Sequence, residues 1–271
     1  MGSSLYNLTK ELEIAYDQAS FVELQIHDKF KQDHLIINSL KEPVGFPGYF
    51  TFHGEGETDG KRRINLCAPD SIIRREYIKE SLDLYYLVAC NLKSHRIVRL
   101  ILHPDSLMQR ITRKQAIEFL ALSLVEISDG LKDIECICIE PRGGDRQGKV
   151  LRTEIEDIRI LEQYLISAGI RNIGLCIDVA QLFIIHGNKG ILHFLNELKS
   201  IRLPVKELHI SDVITNEKTK NRVAMEVGKG RIDWKLILTL ILQHCSDLLI
   251  ETLGGVKVFQ RSKSYLDSLL T

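Results

Sequence analysis

Short apolar, β-branched runs recur along the chain at Phe21–Ile26, Tyr49–His53, Ile97–His103, Ile134–Glu140, Ile173–Asp178, Val205–Ile210 and Leu248–Glu251. Most are followed by a longer stretch in which apolar residues return with the period of a helix face. Between Ser71 and Cys90, for instance, Ile73, Tyr77, Leu84, Leu87 and Val88 make one stripe, while Arg74, Arg75, Lys79 and Glu80 stand off it. The same pattern predicts helices over 113–129, 153–168, 190–200, 234–244 and 258–270. Strand and helix alternating at roughly 30–40 residues imply parallel strands joined by crossover helices. Met1–Leu5, ahead of a helical pattern carried by Leu8, Leu12, Ile14 and Ala15, would add an eighth strand to the seven. Eight βα units in about 250 residues predict a closed (β/α)8 TIM barrel rather than an open doubly wound sheet. The chain has no GxGxxG, no P-loop and no Gly/Ser/Pro-rich linker, so residues 1–271 read as one α/β domain.

Composition then removes several function classes. With 44% hydrophobic and 27% charged residues the chain can bury a core, which excludes a disordered tail or a disulfide-stapled scaffold. The 36 Lys+Arg balance 36 Asp+Glu, so the field expected of a strongly basic nucleic-acid coat is missing. The apolar run Leu236–Leu242 falls well short of the ~20 residues of a membrane span, and no apolar stretch follows a basic N-terminus. Neither membrane anchor nor signal peptide is expected. The 6 Cys stand singly in apolar segments, as reduced thiols do in a cytoplasmic protein.

The informative chemistry lies at the ends of the apolar runs. Six of them close on His53, His103, Glu140, Asp178, His209 and Glu251. In a parallel barrel the C-terminal strand ends share one mouth, so three imidazoles and three carboxylates would converge there. Any one of them alone reads as a polar residue leaving a strand or capping the next helix. As a set they do not, because clustered buried carboxylates need a cation or shifted protonation. Imidazole mixed with carboxylate suits Zn2+ or Mn2+ better than Mg2+ or Ca2+. Cys136 and Cys138 share strand parity with Glu140, and Cys176 with Asp178, which makes them small core residues. Trp234 reads as a packing residue.

Ile64–Leu66 through Pro69-Asp70, Leu100–Pro104, Ile139-Glu140, Cys176–Asp178, Leu208–Asp212, Val227–Gly230 with Ile232, and Leu249–Thr252 together resemble, in order, the endonuclease IV group of apurinic/apyrimidinic endonucleases. That group lies within the xylose isomerase-like barrels, which also include sugar isomerases and ketose 3-epimerases. The resemblance covers roughly residues 20–270. It implies that His53, His103 and Glu140 hold one ion and that Glu140, Asp178, His209 and Glu251 hold a second, with Glu140 bridging. Glu140, Asp178, His209 and Glu251 equally match the metal ligands of the epimerases, whereas His53 and the His103-Pro104 pair favour the nucleases.

The chain also departs from the nuclease pattern. A His three residues after the strand-end Asp is replaced by Gln181, and an Asp-x-His before the Gly-x-Gly turn is replaced by Arg222–Glu226. The protein ligands of a third zinc are thereby lost, unless Glu226 or His186 substitutes. Arg142 and Arg146, with Arg62 and Arg63 beside Lys61, are candidates to bind a substrate phosphate in its place, as are Gln181 and Arg222. Against a duplex substrate, Glu55, Glu57 and Asp59 in the loop Gly54–Arg63 would repel a phosphate backbone. Three readings follow. The first is a metal-dependent hydrolase with one or two Zn2+ or Mn2+ ions acting on damaged DNA. The second is a sugar or sugar-phosphate isomerase or epimerase in which Glu140 and Glu251 exchange a proton. The third is a degenerate barrel without turnover.

Overall fold

Seven parallel strands make the frame: β1 Phe21–Gln25, β2 Tyr49–His53, β5 Ile97–Leu102, β6 Cys136–Ile139, β7 Ile173–Asp178, β8 Val205–Ile210 and β11 Leu248–Ile250. They hydrogen-bond in the order β1-β2-β5-β6-β7-β8-β11, every neighbouring pair parallel. The computed structural model describes residues 19–25, 48–54, 57–58, 62–63, 65–92, 97–104, 111–141, 154–216, 219–245, 247–252 and 255–271. For residues 25, 57–58, 62–63, 91, 215–216 and 219–224 only the backbone is described. The two edge strands curl toward each other, so that Ala19–Phe21 and Leu248–Ile250 line one cavity. The result is one near-closed barrel. The eighth strand expected at Met1–Leu5 falls outside the described residues.

Alternation along the strands sorts the side chains. Phe50, Phe52, Leu100, Leu102, Ile137 and Ile139 face outward into one cluster with the helices, and Leu175, Ile177, Leu208 and Ile210 into a second. The residues of opposite parity face the axis, where Ile101 packs with Cys136, Cys138 and Cys176 in a separate small core. All six cysteines are free, as expected of single thiols.

Among the described residues six helices cover the barrel: α1 Ser71–Asn91, α2 Arg113–Gly130, α3 Ile155–Ser167, α4 Val179–Leu198, α5 Trp234–Ile241 and α6 Gly255–Leu270. Their starts are chemically marked. Asp70 accepts hydrogen bonds from the Ile72 and Ile73 amides, Thr112 and Gln115 form a capping box, and Asp233 caps α5. Helix α4 differs most from the expected 190–200. It starts directly after β7, capped by Asp178, and is broken at Gly187, whose φ of 62° only glycine adopts without strain. Residues 179–185 are almost all apolar, so they carry no helical period for the sequence to show. No described helix is long and apolar enough to cross a membrane.

Two short hairpins also stand where no strand was expected. Residues Glu57–Thr58 (β3) and Arg62–Arg63 (β4) pair within the stretch read as a flexible loop, and Asp212–Asn216 (β9) pairs with Thr219–Met225 (β10).

The axis of the barrel is charged. The Arg99 guanidinium lies 2.5 Å from Asp247 and 3.5 Å from Glu207, and its carbon sits 5.3 Å from the centre of the Tyr49 ring. The Tyr49 hydroxyl donates to Asp247 at 2.6 Å, and Thr51 Oγ1 donates to Glu207 at 3.4 Å. This network ties β2 and β5 to the start of β11 across the barrel. Glu207 is fully buried and has Arg99 and His209, each 3.5 Å away, as its cationic neighbours. Arg99→Met should therefore cost about 3–5 kcal/mol in denaturant unfolding, and adding Glu207→Gln to it should recover part of the loss. Equal stability of wild type and Arg99→Met would show that the guanidinium does not compensate the buried carboxylate.

Candidate metal centre

His53 closes β2 and Asp178 closes β7, His209 is the penultimate residue of β8, and His103, Glu140 and Glu251 stand one residue beyond β5, β6 and β11. The ladder continues past the strand ends and fixes these positions: the Glu140 amide donates to the Leu102 carbonyl at 3.0 Å and the Glu251 amide to that of Ile210 at 3.0 Å. Glu140 is the hub. Its Oε2 lies 3.0 Å from His53 Nε2, 2.7 Å from His103 Nε2 and 3.8 Å from His209 Nδ1. His209 Nδ1 also lies 3.6 Å from Glu251 Oε2. The His53 ring stands edge-on to His103, with centroids 4.6 Å apart, and 5.7 Å from the His209 ring.

Burial by itself would raise the Glu140 carboxyl. The charge and hydrogen bond of His103, with His53 and His209, overcome it and hold Glu140 well below the usual carboxylate range. Burial likewise opposes charge on His53, but Glu23 and Glu140 outweigh it and lift the imidazole to about 9. Asp178 moves the other way for an acid: burial first, then the charges of Glu140 and Glu251, push it up to about 7. The same cluster thus favours the protonated form of one imidazole and of one carboxyl.

The donor set suits a small divalent ion. His53, His103 and Glu140 each place one ligand atom within 4.8 Å of the others, as do Glu140, Cys176 and His209, and also Glu23, His53 and His209. Within this cluster Glu23 Oε2, His53 Nδ1 and both ring nitrogens of His209 are buried without a hydrogen-bond partner. Buried lone pairs of this kind are what a cation would satisfy.

The remaining expected residues divide clearly. Asp178 uses Oδ1 to cap α4, accepting from the Ala180 amide at 2.7 Å and the Gln181 amide at 3.1 Å, and it joins none of the three-donor groups. Gln181 occupies the first turn of α4, half-buried, directly after this cap. Glu226 is bound by both oxygens to Arg261, at 2.6–3.0 Å, and His186 lies against the Phe194 ring. Neither replaces the lost ligands. Arg142 and Arg146 lie outside the described residues, as do the side chains of Arg62, Arg63 and Arg222.

Sequence reasoning missed Glu23, Glu207 and Asp212. Glu23 and Glu207 are lone acids at inward positions of apolar strands, a parity signal that could have found them. Asp212, fully buried, accepts from the amides of Val213, Gly228 and Ile232 and from Trp234 Nε1, at 2.9–3.1 Å. It fastens the Gly228–Gly230 turn over the end of β8. A Cβ on Gly230 would lie 2.1 Å from Asp212 Oδ1, which explains that glycine structurally. Trp234 is the packing residue expected, with its ring N–H spent on this same carboxylate.

No protein-family model matches the chain, and no curated protein does. Solved structures do. A D-tagatose 3-epimerase-like protein superposes with a TM-score of 0.69 at 16% identity, over 93% of this chain and 88% of that one. A xylose isomerase domain protein from Planctomyces limnophilus gives 0.59 at 15%, over 95% and 90%. D-psicose 3-epimerase in the presence of D-fructose gives 0.58 at 14%, over 99% and 92%. The chain has the xylose isomerase-like TIM-barrel fold. At such identity the likeness shows the fold alone, and the expectation of a DNA-cleaving hydrolase gains no support from these neighbours.

The raised His53 gives the metal-free protein a pH signature. Its folded pKa of about 9 lies above the ordinary imidazole value of 6.5, so its contribution to stability is complete below 6.5 and is lost as pH rises toward 9. The unfolding free energy measured in chelator should fall over that window, by up to about 3 kcal/mol, and Glu140→Gln should flatten the fall. An unfolding free energy independent of pH between 6.5 and 9 would refute the assignment.

Proposed function

We propose that this protein is a divalent-metal-dependent sugar isomerase or epimerase, with Glu140, Asp178, His209 and Glu251 holding one Mn2+ or Zn2+. The observation that carries this reading is the meeting of Glu140 and Glu251 at His209 Nδ1, 3.8 and 3.6 Å away. These separations are too long for good hydrogen bonds and suit donors that flank a common cation. Asp178 adds a third carboxylate beside them, its ionisation suppressed by the first two. The names borne by the similar folds, 3-epimerases and xylose isomerase domains, point to ketoses and related small sugars as the substrate class.

The reaction needs a base beside the carbon next to a carbonyl and an acid to return a proton. Glu251, with 41% of its side chain exposed, is the carboxylate a substrate reaches from the mouth. It takes the proton, the electron pair left behind moves onto the carbonyl oxygen, and Glu140 serves the other proton transfer deeper in the barrel. A bound divalent ion supplies the positive charge that stabilises this oxygen. Ile101, Cys136, Cys138 and Cys176 pack together as a small buried core on the barrel axis beside the site.

The sharing of Glu140 Oε2 by His53 and His103 favours a second reading, a two-ion phosphodiesterase. Metal stoichiometry separates the two. One ion per chain, unchanged in His53→Ala/His103→Ala, fits the sugar enzyme; two ions falling to one fits the hydrolase. The direct test is solvent-deuterium exchange into a panel of ketoses with Mn2+-loaded protein. Glu251→Gln should slow exchange about 100- to 10,000-fold with little change in unfolding midpoint. Metal binding without exchange into any ketose, accompanied by cleavage of a duplex carrying an abasic site, would replace this reading with the hydrolase.

A further inference from the structure

Glu23 enters the barrel from β1, opposite Thr51 of β2, with a side chain 6% exposed, and it belongs to neither ligand set expected from the sequence. Its Oε2 lies 3.2 Å from His209 Nε2, the ring nitrogen that faces away from Glu140 and Glu251. Glu207 Oε1 lies 3.5 Å from the same nitrogen. The other neighbour is His53, which directs Nε2 at Glu140 and leaves Nδ1 buried without a hydrogen-bond partner. Glu23, His53 and His209 keep one donor atom each within 4.8 Å of one another.

We propose that Glu23 is a positioning residue for the metal centre, accepting the ring N–H of His209 on the side away from the ion. The inference rests on the metal-dependent reading above. A neutral imidazole carries one N–H and one lone pair, so whichever nitrogen holds the proton decides which can ligate. A carboxylate facing Nε2 of His209 draws the proton there and leaves the lone pair of Nδ1 toward Glu140 and Glu251. If Glu23 were instead a ligand of a deeper ion, His209 would have to bind through both nitrogens, which requires the doubly deprotonated ring. The two atoms are 3.2 Å apart but not aligned as a hydrogen bond, and the proposed role requires a side-chain rotation that aligns them.

The test compares wild type, Glu23→Gln and Glu23→Leu, each freed of metal, by calorimetric titration with Mn2+ alongside thermal unfolding of the metal-free forms. Stoichiometry should stay the same in all three. Affinity should fall about 10- to 100-fold in Glu23→Leu and less in Glu23→Gln, whose amide oxygen still accepts an N–H. A role confined to packing would not order the variants in this way. Equal affinity in all three, with wild type binding Mn2+, overturns the inference and leaves the metal-dependent reading standing. Loss of one ion per chain in Glu23→Gln makes Glu23 a ligand and overturns it as well. Failure of wild type to bind Mn2+ under these conditions overturns both. If Glu23→Leu does not fold, the near-isosteric Glu23→Gln decides alone, by reduced or unreduced affinity.

Discussion

Strand parity sends every second residue of seven parallel strands toward the barrel axis, and many of those positions here carry carboxylates, imidazoles and a guanidinium instead of aliphatic layers. Each of these charges is removed from bulk water, so each needs a partner that another strand brings to the same level. The lower level is balanced by Arg99, which faces Glu207 and Asp247. At the upper level Glu140 meets His53 and His103, with His209 just beyond hydrogen-bond range. His209, within 3.5 Å of both Glu23 and Glu207, links the two.

This division of labour explains how a polar interior coexists with a stable fold. Outward residues such as Phe52, Leu100, Ile137, Leu175 and Leu208 are all fully buried against the helices. Burial of that face is the dominant favourable term, on the order of 1.5–3 kcal/mol per large side chain. The interior is therefore free to hold chemistry. At the mouth, Asp178 and Glu251 add two further carboxyl groups beside Glu140, and burial with the charges of these neighbours pushes the Asp178 carboxyl up to about 7.

Asp212 shows a second way in which a buried carboxylate is made tolerable. Its two oxygens accept from three backbone amides and the Trp234 indole, so no cation is required there. The Val227–Gly230 segment, which resembled a nuclease signature, is accounted for by this anchoring. Glu226, at the same turn, is paired with Arg261 and is thereby engaged away from any third-metal role. Both facts move the functional weight back to the strand ends.

The amino-acid sequence by itself determined the class of fold, because period-2 runs and period-3.6 stretches alternate strongly enough to be read without neighbours. It also singled out five candidate ligands that the fold brings close together, His53, His103, Glu140, His209 and Glu251, since strand ends in a parallel barrel share one mouth. It did not show the start of α4, where an unbroken apolar run hides the helical period, or the β9–β10 hairpin, whose pairing depends on register rather than composition. Only the tertiary structure decided which carboxylate is the hub, that Asp178 spends one oxygen on a helix cap, and that Glu23 and Glu207 belong to the same charge network. Those facts depend on the distance between atoms contributed by strands up to 186 residues apart in the chain, and a linear pattern carries parity and spacing but no such distance.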